Sequence, residues 1–398
     1  MNIKREPIKY IDGDRTKGIE IDWKKAFKYY EQLGCPDNVY NPAKELKIDK
    51  ATWFVLISGR STGKTTNIVL LGMILNLMYG INIAYVRQTE DMTAKQELDK
   101  FLNVITQNGY IEKMTDGKWN SGYYYAHVYR WAKVGEDTKI EEKGEPFLHA
   151  VSIDRQERYK STFNVPTADM VLFDEFISTR YSPNEFIELN QLIKTILRDR
   201  VTGKIFMLAN TTNYYNEYLR ELMIQDDVLK VQEDQPFIKK TPLGTQIFVH
   251  LIGNRNLIRA KVNTLYFGFD NPRLASITGG SWSIPSYPHI AQDDRLDPRK
   301  IITDKFYMVY SGKILQLDLA ANKKMGLHVL VHPCRRIHDD AISVFTCGDI
   351  EDNRYKYRFG TSKSDKLYFK LYNQNKWFFY DNDAGFTVEA YVKTANKL

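Results

Sequence analysis

The sequence predicts an α/β fold: an N-terminal domain on a mostly parallel sheet (residues 1–250), a small linker domain (251–297) and a β-rich α+β C-terminal domain (298–398). Three observations carry this. An apolar run, Trp53 to Ile57, breaks into small and polar residues and then into a helical pattern. A second apolar run, Met170 to Phe173, ends on the acidic pair Asp174-Glu175. Beyond a Gly-, Ser- and Pro-rich stretch, Asn271 to Pro298, strand-like segments crowd the rest of the chain.

A chain of 398 residues is long for one core, so two domains are the natural expectation. Hydrophobic content of 43% and charged content of 26% are those of a globular protein. No apolar run approaches the roughly 20 residues of a membrane span, and Met1 to Asp12 is too polar for a signal peptide, so no membrane partner is expected. Cys35, Cys334 and Cys347 lie outside any metal-ligand spacing and read as reduced thiols of a cytoplasmic compartment. The net charge of +7 suits a polyanionic partner without requiring one.

The first run belongs to TWFVLISGRSTGKTT, Thr52 to Thr66. Gly59 and Gly63 let the backbone curl so that its N–H groups point inward. Lys64 reaches the β/γ-phosphates, Thr65 supplies a hydroxyl to Mg²⁺, and the next helix offers its N-terminus to the anion. The nucleotide-binding set is Ser58, Gly59, Arg60, Ser61, Thr62, Gly63, Lys64, Thr65 and Thr66, with ATP and Mg²⁺ as cofactors. The P-loop pattern G-x-x-x-x-G-K-[ST] is met except that Ser58 replaces its first Gly. An amphipathic helix, Thr65 to Tyr79, closed by Gly80, should follow.

Upstream, residues 1–50 hold a helical stretch around Trp23 to Leu33, which covers the adenine, meets a neighbouring subunit or caps the sheet edge. Downstream, INIAYVR is a strand ending at Arg87, followed by a helix from about Glu90 to Gln107. Gly117 to Gly135 reads as a hairpin turning at Asn120-Ser121-Gly122. Its aromatic residues form a DNA-facing loop or pack on the domain surface. Phe147 to Ile153 is a further strand.

A hydrophobic strand that delivers an acid to its tip is the Walker B arrangement. Asp174 would hold the Mg²⁺ shell and Glu175 would polarise the attacking water as general base. The doublet, about 110 residues after the P-loop with room for an extra strand, favours the NTPase division that inserts a strand between the two motifs and uses a catalytic Glu. A helix from Pro183 ends at Leu197-Arg198-Asp199-Arg200, and Lys204 to Asn213 is a buried strand whose Asn210 is placed to sense the γ-phosphate or the water. Arg198 and Arg200 suit a helix C-terminus by the dipole alone; the functional reading is an arginine finger for a neighbouring subunit's nucleotide.

The C-terminal strands are expected in FYMVYSG, KILQLDLA, GLHVLVH, ISVFTCG, RYKYRFG, KLYFKLYN and KWFFYDN, with a last helix near Thr387 to Ala395. In RYKYRFG, strand alternation puts Arg354, Lys356 and Arg358 on one face, either for nucleic-acid phosphates or simply solvated.

Together these residues resemble the DNA-packaging ATPases of φ29-like podophages. SGRSTGKT carries Arg60 where packaging motors and terminases place a Walker A arginine. KSTFNVPTADMVLFDEF, Lys160 to Phe176, is similar to the family's run into Walker B. Pro183-Asn184-Glu185, Arg198-Asp199-Arg200 and Leu208-Ala209-Asn210 match in order and spacing, and Asp304 to about Ala390 is similar too. The resemblance implies an ATP-driven homo-oligomeric ring, pentameric in the family, that moves double-stranded viral DNA into a procapsid through its portal, with room for a structural RNA. Such a motor works in the host cytoplasm, transiently docked on the procapsid vertex. It also implies a RecA/FtsK-like ATPase domain of the ASCE division and an RNase H-like domain whose nuclease site has decayed. By matched position Arg198 would be the trans-acting finger and Lys160 a second basic residue at the subunit interface. Ser58, the longer lead-in and the less basic Gln88-Thr89-Glu90 depart from the family pattern.

Three alternatives compete. A terminase with a live nuclease needs carboxylates converging on paired ions. Asp318 lies on a strand as required, while Asp339, Asp340, Asp381 and Asp383 form no legible set. A non-enzymatic portal or scaffold would not need Lys64, Thr65 and the Asp-Glu pair. A ring helicase shares the motifs but separates strands. In the packaging reading, Glu175 is released from a polar hold by Asn210 or Arg60 when ATP binds.

Overall fold

In β1, Trp53–Ser58, Phe54 and Leu56 point to one side of a sheet and Val55 and Ile57 to the other, and all four are fully buried. Strand alternation therefore seeds two hydrophobic layers at once. The structure, a computed structural model, describes residues 1–60, 62–162, 168–177, 184–210, 216–228, 230–253, 287–290, 300–348, 352–357 and 363–395. Most of the expected linker domain and Arg358 lie outside the described residues, as do Ser61 and the side chain of Lys160. The chain divides into two units, Met1–Ser283 and Ile284–Leu398.

The first unit holds a nine-stranded sheet among the described residues. After β1 come β2 (Ile83–Arg87), β3 (Ser121–Tyr125), β4 (Val128–Val134), β5 (Ile140–Ser152), β6 (Met170–Asp174), β7 (Lys204–Asn210), β8 (Phe237–Lys240) and β9 (Gln246–Ile252). Their order is β3-β4-β5-β2-β6-β7-β1-β9-β8. The centre is parallel, and antiparallel hairpins close both edges. In space β7 separates β1 from β6, although it follows both in the chain; the intervening strand does not come from the sequence between the two motifs.

Several sequence expectations change here. The helix after the P-loop, Lys64–Tyr79, is buried nearly all round rather than amphipathic. It lies between the sheet and the helix Trp23–Leu33, so no face of it meets water. The lead-in thus backs the phosphate loop, and Tyr40 N donates to Thr62 O at 2.8 Å. The segment after β2 begins as a 3₁₀ turn, Glu90–Thr93, before the helix Lys95–Gln107. The hairpin turns at Ala126-His127, not at Asn120-Ser121-Gly122. Both turn residues have positive φ (48° and 62°), as a tight right-twisted hairpin requires, even without glycine. Burial of Tyr129 and Trp131 sets the register, and Asn120 instead ties the hairpin base through Val134 N and O.

The second unit holds a six-stranded sheet of order β14-β13-β10-β11-β12-β15. It comprises β10 (Lys300–Tyr310), β11 (Lys313–Asn322), β12 (Gly326–Cys334), β13 (Ser343–Thr346), β14 (Tyr355–Lys356) and β15 (Trp377–Phe379). The first three form an antiparallel meander, and β13 pairs parallel to β10. KLYFKLYN is not a strand but the helix Lys363–Asn373. Its Tyr368 and Leu371 share one helical face and are buried on the sheet. The last helix starts at Asn382, ahead of the expected Thr387.

Candidate nucleotide site

The C-terminal tips of β1, β6, β7 and β2 lie side by side, the edge where open α/β sheets collect ligands. After β1 the chain turns through Gly63 (φ 78°), where a side chain would be strained and would meet Val39, and enters the helix at Lys64. Parallel pairing sets Ser58 beside Asn210. Between them sits the buried ammonium of Lys64, donating to Ser58 Oγ at 3.0 Å and to Asn210 Oδ1 at 2.8 Å. Ser58 Oγ also meets Thr62 Oγ1 at 2.7 Å. The serine that breaks the glycine pattern therefore accepts a hydrogen bond from Lys64. Burial pushes that lysine down to about 8, against the pull of Asp174 and Glu175.

Thr65 Oγ1 donates to Asp174 Oδ1 at 3.2 Å, and Tyr85 OH to Asp174 Oδ2 at 2.9 Å. A hydroxyl beside a carboxylate is the hard-oxygen donor set that would suit a magnesium ion. Burial raises the Asp174 carboxyl despite the opposing charges of Arg87 and Lys64. Glu175 leaves the strand at φ 56°, a strained conformation that turns its side chain toward β2. There Arg87 Nη2 donates to Glu175 Oε2 at 2.6 Å, and Arg87 Nη1 reaches Tyr85 OH at 3.3 Å.

Lys64, Thr65, Asp174, Glu175 and Asn210 thus converge. The others do not all join them. Arg60 is exposed and makes no hydrogen bond or ion pair among the described residues, and Asn210 serves Lys64, so neither is seen to hold Glu175; Arg87 does. Arg198 is exposed at the end of the helix Glu185–Leu197, and its side chain makes no hydrogen bond or ion pair among the described residues. Arg200 corrects its reading as a trans-acting residue. Its guanidinium is buried, with Nε 3.2 Å from Asp169 Oδ1, and cannot reach a neighbour.

Of the expected basic face of the C-terminal unit, Arg354 and Lys356 are described and Arg358 is not. Arg354 Nη2 pairs with Asp352 Oδ2 at 2.6 Å, and Lys356 Nζ lies 3.1 Å from Oδ2 of fully buried Asp365. Both charges are met within the unit, where the described strand is Tyr355–Lys356. Sequence reading missed Tyr85 and Arg87 as site residues. Their spacing of two puts both at the polar tip of β2, but only the β2–β6 pairing brings that tip to the acidic pair.

No protein-family model matches the chain. Two curated relatives, the DNA packaging proteins of Bacillus phage PZA and Bacillus phage phi29, are each 27% identical over 195 residues, 48% of this chain. The chain spans about half the length of these relatives, 52% in each case. Among solved structures, the Phi-28 gp11 DNA packaging motor superposes with a TM-score of 0.58 at 19% identity, over 91% of this chain and 99% of that one. The bacteriophage Phi-29 viral genome packaging motor assembly gives 0.56 at 17%, over 90% and 100%. The motif-based resemblance to φ29-like packaging ATPases therefore extends to the sequence across slightly under half of the chain, 48%, and to the fold across about nine-tenths of it.

Proposed function

We propose that the protein is an ATP-hydrolysing motor that drives double-stranded viral DNA into a procapsid as a homo-oligomeric ring. One observation carries the reading: Lys64, Thr65, Asp174 and Glu175 meet at adjacent strand tips, while the exposed Arg198 stands away from them, in the turn that leads into the start of β7. The strand inserted between β1 and β6, together with a glutamate after Walker B, supports the ASCE division.

Lys64 and the loop N–H groups bind the β/γ-phosphates. Thr65 and Asp174 would hold Mg²⁺, which when bound shields charge on the phosphates. Glu175, once it leaves Arg87, orients and deprotonates the attacking water. Arg198 of one subunit stabilises charge on the γ-phosphate held by the next, with Lys160 a second interface cation. Pentameric closure, docking at a portal vertex in the host cytoplasm, a structural RNA partner and an RNase H-like ancestry of the C-terminal unit belong to the same proposal.

The test is packaging of DNA into purified procapsids by wild-type and Lys64→Ala protein. Lys64→Ala is expected to abolish both turnover and DNA entry; DNA entry without turnover would sink the motor reading. Strand separation of a duplex by the wild type would favour the helicase.

A further inference from the structure

The turn after the helix Glu185–Leu197 is held more firmly than a connection needs. Arg198 sits at φ 52°, ψ −120°, where glycine is at ease and arginine is strained. Such a conformation persists only when its surroundings over-determine it. Arg198 N donates to Lys194 O at 2.8 Å, Arg200 N to Leu197 O at 3.0 Å, and Val201 N to Lys17 O at 2.9 Å. Arg200 Nη2 donates back to Ile196 O at 2.8 Å. Arg200 Nε faces Asp169 Oδ1 at 3.2 Å, with side-chain exposures of only 8% and 1%. Asp169 stands just before β6, whose tip carries Asp174, and its carbonyl accepts from Lys204 N at 2.9 Å.

A buried ion pair is a poor source of stability, since desolvating both charges offsets their attraction and apolar replacements often serve as well. This one spans the root of the Walker B strand and the turn that presents Arg198. We infer that Arg200 and Asp169 are positioning residues: their pair fixes the turn so that Arg198 projects in one orientation toward an anion outside its own subunit, the phosphate of a nucleotide held by a second copy of this chain. The inference rests on the trans-acting reading of Arg198. Small misplacement of such a group is costly, because its effect depends on meeting charge that develops at one place.

The test uses full-length rings mixed from two kinds of subunit. Asp169→Leu/Arg200→Met removes both charges together, so no buried charge is left unpaired. Alone, this double variant is expected to keep nucleotide affinity and lose turnover by about tenfold or more, with kcat rather than KM affected. Mixed with Glu175→Gln subunits, which have an intact turn but a dead site, it should regain turnover, because the neighbour supplies a correctly placed Arg198. Arg198→Ala mixed with Glu175→Gln is the control. Wild-type turnover by the double variant alone overturns the inference, as does a loss that mixing does not restore while the control is restored. An unrestored control overturns the trans reading itself and this inference with it. If the double variant does not fold, Arg200→Lys, which keeps the charge and loses the planar fork, is put through the same mixtures and must give the same kcat loss and recovery.

Discussion

Arg87 Nη2 lies 2.6 Å from Glu175 Oε2, and the same guanidinium touches the tyrosine hydroxyl that binds Asp174. One side chain on β2 therefore contacts Glu175, the proposed base, directly and Asp174, the proposed metal-shell acid, through Tyr85. Glu175 is half exposed and the pair adds little to stability, about 0–1 kcal/mol, so its value lies in where the carboxylate points. Arg87→Met should free the base. Turnover without DNA is expected to rise a few-fold while the DNA-stimulated increment shrinks. Measuring the ratio of the two rates checks this, and an unchanged ratio would show that Arg87 does not restrain Glu175.

Glu175→Gln keeps the size and the Arg87 contact of the side chain but cannot take a proton. Nucleotide binding should stay within about twofold while turnover falls by 10²–10⁴. Equilibrium binding of a labelled nucleotide beside steady-state hydrolysis separates the two. Retained turnover would assign the base elsewhere.

Lys64, pushed down to about 8 by burial, links binding to pH. Below that value the free site already carries the cation, so binding phosphate takes up no proton. Above it, binding must restore the charge, and the dissociation constant should rise by up to about tenfold per pH unit. Calorimetry near pH 9 in two buffers of different ionisation enthalpy should report a proton taken up. For folding without nucleotide the sign is opposite: the unfolded lysine keeps its proton to about 10.5, so its burial penalty fades as pH rises from 8 toward that value.

Arg198→Gly should separate stability from function. Glycine accepts φ 52°, ψ −120° without strain, so the fold should gain about 1 kcal/mol, read as a higher denaturant midpoint at constant slope. Turnover of homogeneous rings should fall about 10³-fold, as for loss of an arginine finger. A variant that is both more stable and fully active would remove Arg198 from the reaction.

What the sequence determined by itself was local. The two strand–tip motifs were legible because each is written in consecutive residues: an apolar run, then the groups that chemistry needs at its end. Ser58 to Thr66 and Asp174-Glu175 required no knowledge of the fold to be singled out. Short polar signals were less safe. Asn120-Ser121-Gly122 looked like a turn but lies at a strand start, because burial of Tyr129 and Trp131 set the register. KLYFKLYN is rich in aromatic and apolar residues like a strand, but Tyr368 and Leu371, three apart, bury one face of a helix. The tertiary structure alone decided which strands are neighbours, and hence that Arg87 meets Glu175, that Asn210 meets Lys64 and that Arg200 is spent on Asp169. Those pairings join residues far apart in the chain, and their energies depend on burial and strand order, which no single stretch of sequence contains.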